Sequence, residues 1–366
     1  MNVFQSPELR YGNVLYEYAL SLREISLMVD ENPLCINDYF HFPVINFLVS
    51  DRDSTALCRT HYLEALSYGD PGSLLACPGP SLSGLMMRTL ANPDQINHFY
   101  FLLKEKKYRT FFALTEPLKG SDASHIQTQL KKIDENTWSL NGEKSFFGNG
   151  AVAEMGIVLA KISDNSLGIR AVLITDELLL QKNISREILP MYALRGAQIA
   201  CMSFNNTIIP DENILGSHLS ACKNSLYSII SVFNQLRTGV GALALGLAQA
   251  VFDFVYHLKS SHFFTYASFF HECDAQLSLC RGLLQEAAKR VDLDHADGAL
   301  ASLSKANATA VAENIVERCI ALCSVDELMA NPWIQKALRD VYCWEFMEGT
   351  THIQKLQSRF TMTGLR

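Results

Sequence analysis

The sequence predicts an α+β multidomain fold: an N-terminal helical domain, a small middle β domain and a C-terminal helical bundle, in that order. Three observations predict it. Leu15, Tyr18, Leu22, Ile25 and Val29 recur at spacings of three and four, the period of one helix face. From Phe111 to Gly216 the pattern shortens to β-type runs separated by turn dipeptides. Past Gly216 helical patterning returns and persists. The expected divisions are residues 1–110, 111–217 and 218–366.

In the first division the stripe from Leu15 to Val29 reads as one helix ended by Pro33. A second helix covers about Ser54 to Tyr68 and stops at Gly69-Asp70-Pro71-Gly72, and Pro78-Gly79-Pro80 marks a further turn. The β runs are Phe111 to Leu114, Trp138 to Leu140, Gly156 to Ile162, Arg170 to Thr175 and Ala200 to Ile209. Asn141-Gly142, Asn149-Gly150 and Asp164-Asn165 are turn signals between them. Bundle helices are expected over about Ser220 to Ser260, Phe263 to Val291 and Leu300 to Cys323. Gly239, Gly241 and Gly246 fall inside the first of these, each costing about 1 kcal/mol relative to alanine. Close approach of a neighbouring helix is the usual compensation.

A chain of 366 residues with 48% apolar side chains buries a large core. Its net charge of −7 and the lack of clustered Lys and Arg argue against nucleic acid as a partner. Met1 to Tyr18 mixes Glu8, Arg10 and Glu17 into its apolar residues, unlike an export signal, so a cytoplasmic location is expected. No run reaches the roughly 18 consecutive apolar residues of a membrane span. The 10 cysteines contain no CxxC pair, and Cys201, Cys222, Cys319, Cys323 and Cys343 read as buried reduced thiols. Cys319 and Cys323 share a helical face but have no histidine at ligand spacing, so no metal is expected.

Three segments carry candidate chemistry. Ala113-Leu114-Thr115-Glu116-Pro117-Leu118-Lys119-Gly120-Ser121-Asp122-Ala123 runs from a strand into a polar glycine-containing loop. Such a loop offers N–H groups to a flavin or a pyrophosphate, and equally makes an ordinary turn. Leu140-Asn141-Gly142-Glu143-Lys144-Ser145-Phe146-Phe147-Gly148-Asn149-Gly150 reads as a hairpin turn, an aromatic pair and a second turn. The pair suits either the flank of a planar cofactor or the core. The third is Arg339-Asp340-Val341 followed by Trp344-Glu345-Phe346-Met347-Glu348-Gly349-Thr350-Thr351-His352-Ile353-Gln354. Here Glu348 stands between Met347 and Gly349. Desolvation there makes a carboxylate a better proton acceptor near neutrality, while a helix-end carboxylate is the plainer alternative.

In order and spacing these segments resemble the signatures of the acyl-CoA dehydrogenase family, in which an LTEPxxGSDA loop and a K-x-W-I-T-N-G segment bind flavin and RDA…YEGT carries the base. Leu194-Arg195-Gly196-Ala197 and Ile209-Pro210-Asp211-Glu212-Asn213-Ile214-Leu215-Gly216 are similar too, so the likeness spans about Tyr68 to Arg359. It implies a barrel or sandwich for the middle domain, a C-terminal four-helix bundle, FAD as cofactor and α,β-dehydrogenation of an acyl thioester. Carried over, it puts Leu114, Thr115, Gly120, Ser121, Phe146, Gly148, Asn149, Thr350 and His352 on the cofactor. Ser121, Arg237 and Gly349 fall on the substrate side, and Glu348 takes the catalytic base position. The alternative base position on the Arg237 helix is held by Leu236, which cannot ionise. The resemblance further implies an electron-transfer flavoprotein or other acceptor, and a homo-oligomer (dimer or tetramer).

Departures from the family pattern are concentrated. The arginine of its R-x-x-F-G-K element, which reaches the flavin pyrophosphate of a neighbouring subunit, becomes Ser260, with Phe263 retained and a later glutamine replaced by His271. The Q-x-x-G-G-x-G-Y segment beside the adenosine falls near Ala321 to Leu328, which has none of its glycines. Lys259, His262 and Lys336 are candidate substitute cations. A heteromer with a paralogue, in which this chain is a flavin-poor half-site or non-catalytic subunit, is the alternative expectation. Tyr68-Gly69-Asp70-Pro71-Gly72 with Pro78-Gly79-Pro80-Ser81 looks like relatives acting on carrier-protein-bound acyl groups, so the thioester is either acyl-CoA or acyl carrier protein.

Overall fold

The computed structural model describes residues 4–117, 120, 126–164, 166–220, 223–224 and 226–363, with backbone alone at 166 and 360–363. The N-terminal helices are α1 (Pro7–Tyr11), α2 (Asn13–Glu24), α3 (Ser26–Glu31), α4 (Pro43–Val49), α5 (Ala56–Gly69), α6 (Pro71–Ala76), α7 (Ser81–Leu90) and α8 (Pro93–Lys106). Proline opens α1, α4, α6 and α8, in a turn whose N–H groups have no intrahelical acceptor. Asp70 caps α6 by accepting from Ser73 N at 2.6 Å, and Asn92 closes a capping box with Gln95 on α8. The stripe from Leu15 to Val29 is divided rather than continuous: Ile25 separates α2 from α3, and the bend lets α3 pack on α6.

Strands β1 (Thr110–Ala113), β2 (Gln129–Lys132), β3 (Thr137–Phe147), β4 (Met155–Lys161), β5 (Ile169–Ile174), β6 (Ile184–Ile188) and β7 (Ala200–Pro210) form one curled sheet, with helix α9 (Asp176–Leu179) between β5 and β6. The sheet order is β1-β4-β2-β3-β7-β6, and β5 pairs antiparallel with β4. Asn141-Gly142 does not turn the chain. It lies within β3, at a register shift against β7, with Gly142 at φ 145°. A Cβ there would stand 2.6 Å from Thr128 Cα, so the glycine serves a bulge and a close approach, for which the same residue types are used as for a turn. A second shift between Lys144 and Phe147 breaks the strand's alternation. The expected aromatic pair is thereby split: Phe147 packs on Phe111 at 5.7 Å in the sheet's own core, while Phe146 is 62% exposed.

The C-terminal helices are α10 (Leu226–Leu258), α11 (Phe263–Leu293), α12 (Ala299–Ile320), α13 (Val325–Ala330), α14 (Pro332–Asp340) and α15 (Thr351–Thr363). By length and composition α10 is the one described helix able to cross a membrane, and 94% of its apolar stretch is buried in the protein interior. It is the axis of the bundle, packing on α5, α11 and α12. The contact with α5 is close and polar at its edges: the Thr60 and Thr238 hydroxyls share a hydrogen bond at 2.8 Å and Ser67 Oγ donates to Leu243 O at 2.6 Å. Gly246 permits it, because a Cβ there would lie 2.1 Å from Glu64 O.

A buried charge cluster joins the three parts of the chain. Lys336 Nζ donates to Asp70 Oδ1 and to Asp340 Oδ2, each at 2.6 Å, and Asp340 Oδ1 accepts from Leu194 N at 2.7 Å. Removing two carboxylates from water is costly unless a cation and N–H donors answer them, and here every member has a partner.

Candidate active site

The path to Glu348 begins where α14 ends. A 3-10 turn, Val341–Glu345, leads into residues 346–350, and Glu345 caps α15 by accepting from Thr351 N at 2.7 Å and Thr351 Oγ1 at 2.6 Å. With both ends fixed, the chain reverses through two successive left-handed residues, Glu348 at φ 57° and Gly349 at φ 98°. Only glycine adopts such angles freely, so Glu348 carries backbone strain of about 1–2 kcal/mol. The fully buried Gln354 stabilises this turn, its Nε2 donating to Glu348 O at 2.6 Å and Gly349 O at 3.1 Å.

The Glu348 residue is half-buried as a whole, but its Oε2 is closed off from solvent and meets no hydrogen-bond donor among the described residues. Burial pushes the carboxyl up to about 7, against the opposing pull of Arg237 and Lys305. Arg237 lies on α10 and donates to Asn234 Oδ1 at 2.8 Å and Ser302 Oγ at 3.1 Å, while its enclosed Nε has no acceptor among the described residues. Burial draws its guanidinium down to about 10, partly countered by Glu348. Lys305, on α12, donates to Gly349 O at 2.9 Å and Glu345 O at 3.1 Å, and burial draws its ammonium down to about 8.

The first two sequence segments also meet. Lys144, fully buried on β3, donates to Leu114 O at 2.9 Å and Glu116 Oε1 at 2.8 Å, and Ser145 N donates to Thr115 O at 2.9 Å. Glu116 further accepts from Thr128 N at 2.8 Å and Thr128 Oγ1 at 2.7 Å. Burial raises the Glu116 carboxyl, but the Lys144 charge and these hydrogen bonds outweigh it and the net shift is downward. Burial lowers the Lys144 ammonium to about 8. The two shifts oppose each other in sense, and with so many donors on Glu116 the pair is charged at neutral pH.

Asn149, left-handed at φ 59°, is fixed by Asn149 N to Ala197 O at 2.8 Å and Asn149 Nδ2 to Leu75 O at 3.0 Å. Its Oδ1 is enclosed with no donor among the described residues. Gly148 lies where a Cβ would approach Ala197 O at 3.3 Å, and Phe146 is left-handed at φ 60°. Gly120 is open to solvent, and Ser121 lies outside the described residues. Phe112 at the end of β1 meets Phe233 of α10 edge-on at 5.6 Å, one helical turn before Arg237. Thr350 Oγ1 faces Ile353 N at 3.5 Å, and His352 is exposed on the first turn of α15.

These features fit a flat polar ring near Leu114, Thr115, Phe146, Gly148 and Asn149: partly buried backbone held from behind, an enclosed carbonyl oxygen and an exposed aromatic. Of the candidate substitute cations, Lys259 is committed to Glu327 at 2.8 Å and Lys336 to Asp70 and Asp340, so neither charge is spare. The stretch near Ala321 to Leu328 runs from the end of α12 into α13, which Ser324 and Glu327 start with a capping box. His262 is exposed beside Ser261 Oγ at 2.9 Å.

Lys305 and Gln354 were not among the expected site residues. Lys305 had a signal, since it is the only charged residue between Gly298 and Glu313, among alanines, leucines and uncharged polar residues.

The family model described as acyl-CoA dehydrogenase, middle domain, matches residues 111–207, and that described as acyl-CoA dehydrogenase, C-terminal domain, matches residues 226–359. A probable medium-chain specific acyl-CoA dehydrogenase of Caenorhabditis briggsae is 25% identical over 322 residues, covering 82% of this chain and 75% of the relative. The FAD complex of PigA superposes with a TM-score of 0.84 at 19% identity, covering 100% of this chain and 99% of that one. The prolyl acyl carrier protein oxidase AnaB gives 0.78 at 18% identity, covering 99% and 100%. At these identities the structural likenesses speak for the fold.

Proposed function

Because this chain belongs to the acyl-CoA dehydrogenase family, oxidoreductases acting on CH–CH groups, we propose that it removes two hydrogens from the α and β carbons of an acyl thioester, with FAD as cofactor and Glu348 as base. The observation that carries this reading is the Glu348 carboxyl: enclosed, unpartnered at Oε2 and raised to about 7. A base whose pKa lies near the working pH combines an ionised population with real proton affinity. Glu348 takes the α proton as the Cα=Cβ bond forms. Bound FAD supplies the acceptor for the hydride leaving the β carbon.

The rest of the reaction is positioning. Leu114, Thr115, Phe146, Gly148 and Asn149, with Gly120, Ser121, Thr350 and His352, would hold the cofactor, and the Lys144–Glu116 pair keeps the Leu114–Glu116 backbone in place behind it. Gly349 and Arg237 stand on the substrate side, the positive charge of Arg237 favouring ionised Glu348 before proton transfer. The N–H of Glu348 is the donor for the thioester carbonyl, where enolate charge develops. Acyl-CoA and acyl carrier protein are the two candidate thioester classes. An electron-transfer flavoprotein or another acceptor reoxidises the flavin, in a cytoplasmic homo-oligomer.

A second reading is favoured by the commitment of Lys259 and Lys336 and by α13 standing where the family has a glycine-rich segment. In it the chain is a flavin-poor half-site subunit that needs a paralogue. The purified protein's visible spectrum separates the two. Flavin that bleaches anaerobically on adding an acyl-CoA or acyl-carrier-protein thioester is expected. A colourless protein that turns yellow only with a partner overturns the first reading.

A further inference from the structure

We infer that Lys305 is a positioning residue for the Glu348 loop, fixing its backbone and supplying the cation against which the carboxylate is held; this rests on the reading of Glu348 as the base. Two carbonyls bracket Glu348, one three residues before it and one just after. Lys305 Nζ donates to both, at 3.1 Å to Glu345 O and 2.9 Å to Gly349 O. Gln354 donates to Gly349 O as well and to Glu348 O. The carbonyls of the left-handed turn are therefore drawn onto two buried side chains, which sets the peptide planes and the direction in which the Glu348 side chain leaves them.

Carbonyl acceptors alone do not explain a lysine there. A neutral donor would satisfy the same oxygens without the cost of burying an ammonium. Lys305 is fully buried and makes no ion pair among the described residues. The charged groups that face it are Glu345, whose carboxylate is already taken by Thr351, Glu348, Glu313 of its own helix and the like charge of Arg237 from α10. Among the described residues, the charged groups that act on Glu348 in turn are Arg237 and Lys305. Around the enclosed Glu348 carboxyl stand two cations, while Glu345 beside Lys305 is tied to Thr351, an arrangement that favours the ionised carboxyl. Backbone anchoring and charge are separable functions, because glutamine keeps a donor without the charge and arginine keeps the charge.

The test is the titration of Glu348 followed by infrared difference spectroscopy on the purified protein, its carboxyl band identified by its absence in Glu348→Gln. Lys305→Gln should make Glu348 bind its proton about tenfold more tightly, and the acid limb of flavin bleaching by thioester should move up in pH by the same factor. Lys305→Arg should restore the parental titration to within about threefold. A parental Glu348 titration in Lys305→Gln would overturn the proposal. If that variant does not fold, a tenfold shift in Lys305→Arg, which retains the cation, would overturn it. Failure of the underlying reading looks different: no thioester bleaches the parent's flavin, while the infrared band still responds to Lys305.

Discussion

Replacing Glu348 by glutamine should stabilise the protein while disabling it. The ordinary carboxyl value of 4.5 rises to about 7 in the folded chain. At 1.36 kcal/mol for each tenfold change in proton affinity, the ionised form costs the fold about 3 kcal/mol. The folded value lies above the unfolded one, so the stability this group contributes is complete below about pH 4.5 and is lost as the pH rises through 7. Glutamine is neutral throughout and nearly isosteric, so its advantage should be close to zero near pH 4.5 and about 1–3 kcal/mol at pH 8.5. The lower end applies because the amide N–H₂ inherits a position with no acceptor. Urea midpoints for parent and variant at both pH values, in the same flavin state, measure it. Reduction of flavin by thioester should fall by at least about 10²-fold. A variant no more stable than the parent at pH 8.5 would show that the carboxyl is not desolvated, and the argument for it as a base tuned to neutrality would go with it.

Lys144→Met should leave Glu116 as an unpaired buried carboxylate, costing about 3–5 kcal/mol and lowering the flavin content of the purified protein, since the backbone of Leu114 loses its anchor; retention of both stability and flavin would contradict this. Gly246→Ala sets a methyl 2.1 Å from Glu64 O, a backbone atom that cannot step aside, so α5 and α10 must part. A loss of about 3 kcal/mol, read from the denaturation midpoint, is expected at a site where alanine would otherwise favour the helix.

The succession of helices, sheet and helices could be read from periodicity because each part buries an apolar face of its own. Glu348 could be singled out because a carboxylate between Met347 and Gly349 stands apart from its neighbours. What escaped the sequence depends on partners distant along the chain. Asn141-Gly142 is a turn signal until β7 and Thr128 are laid beside it, when it becomes a bulge. Phe146 and Phe147 look alike in sequence, and the register shift at Lys144 sends one to solvent and the other into the core. Lys259 and Lys336 read as free charges until Glu327, Asp70 and Asp340 are seen against them. Ile25 continues the apolar stripe but not the helix, because α3 must bend to reach α6.

The cluster of Asp70, Lys336 and Asp340 has a meaning for biosynthesis. Asp70 leaves the ribosome long before the lysine that neutralises it, and Leu194 N likewise precedes the aspartate that accepts from it. Asp70 is answered within its own helix only by Ser73 N, so the charge it buries at the seam between the parts is neutralised only when α14 is in place. Because α14 both carries Lys336 and Asp340 and leads into the Glu348 loop a few residues later, the docking of the three parts and the placing of that loop are tied to the same helix.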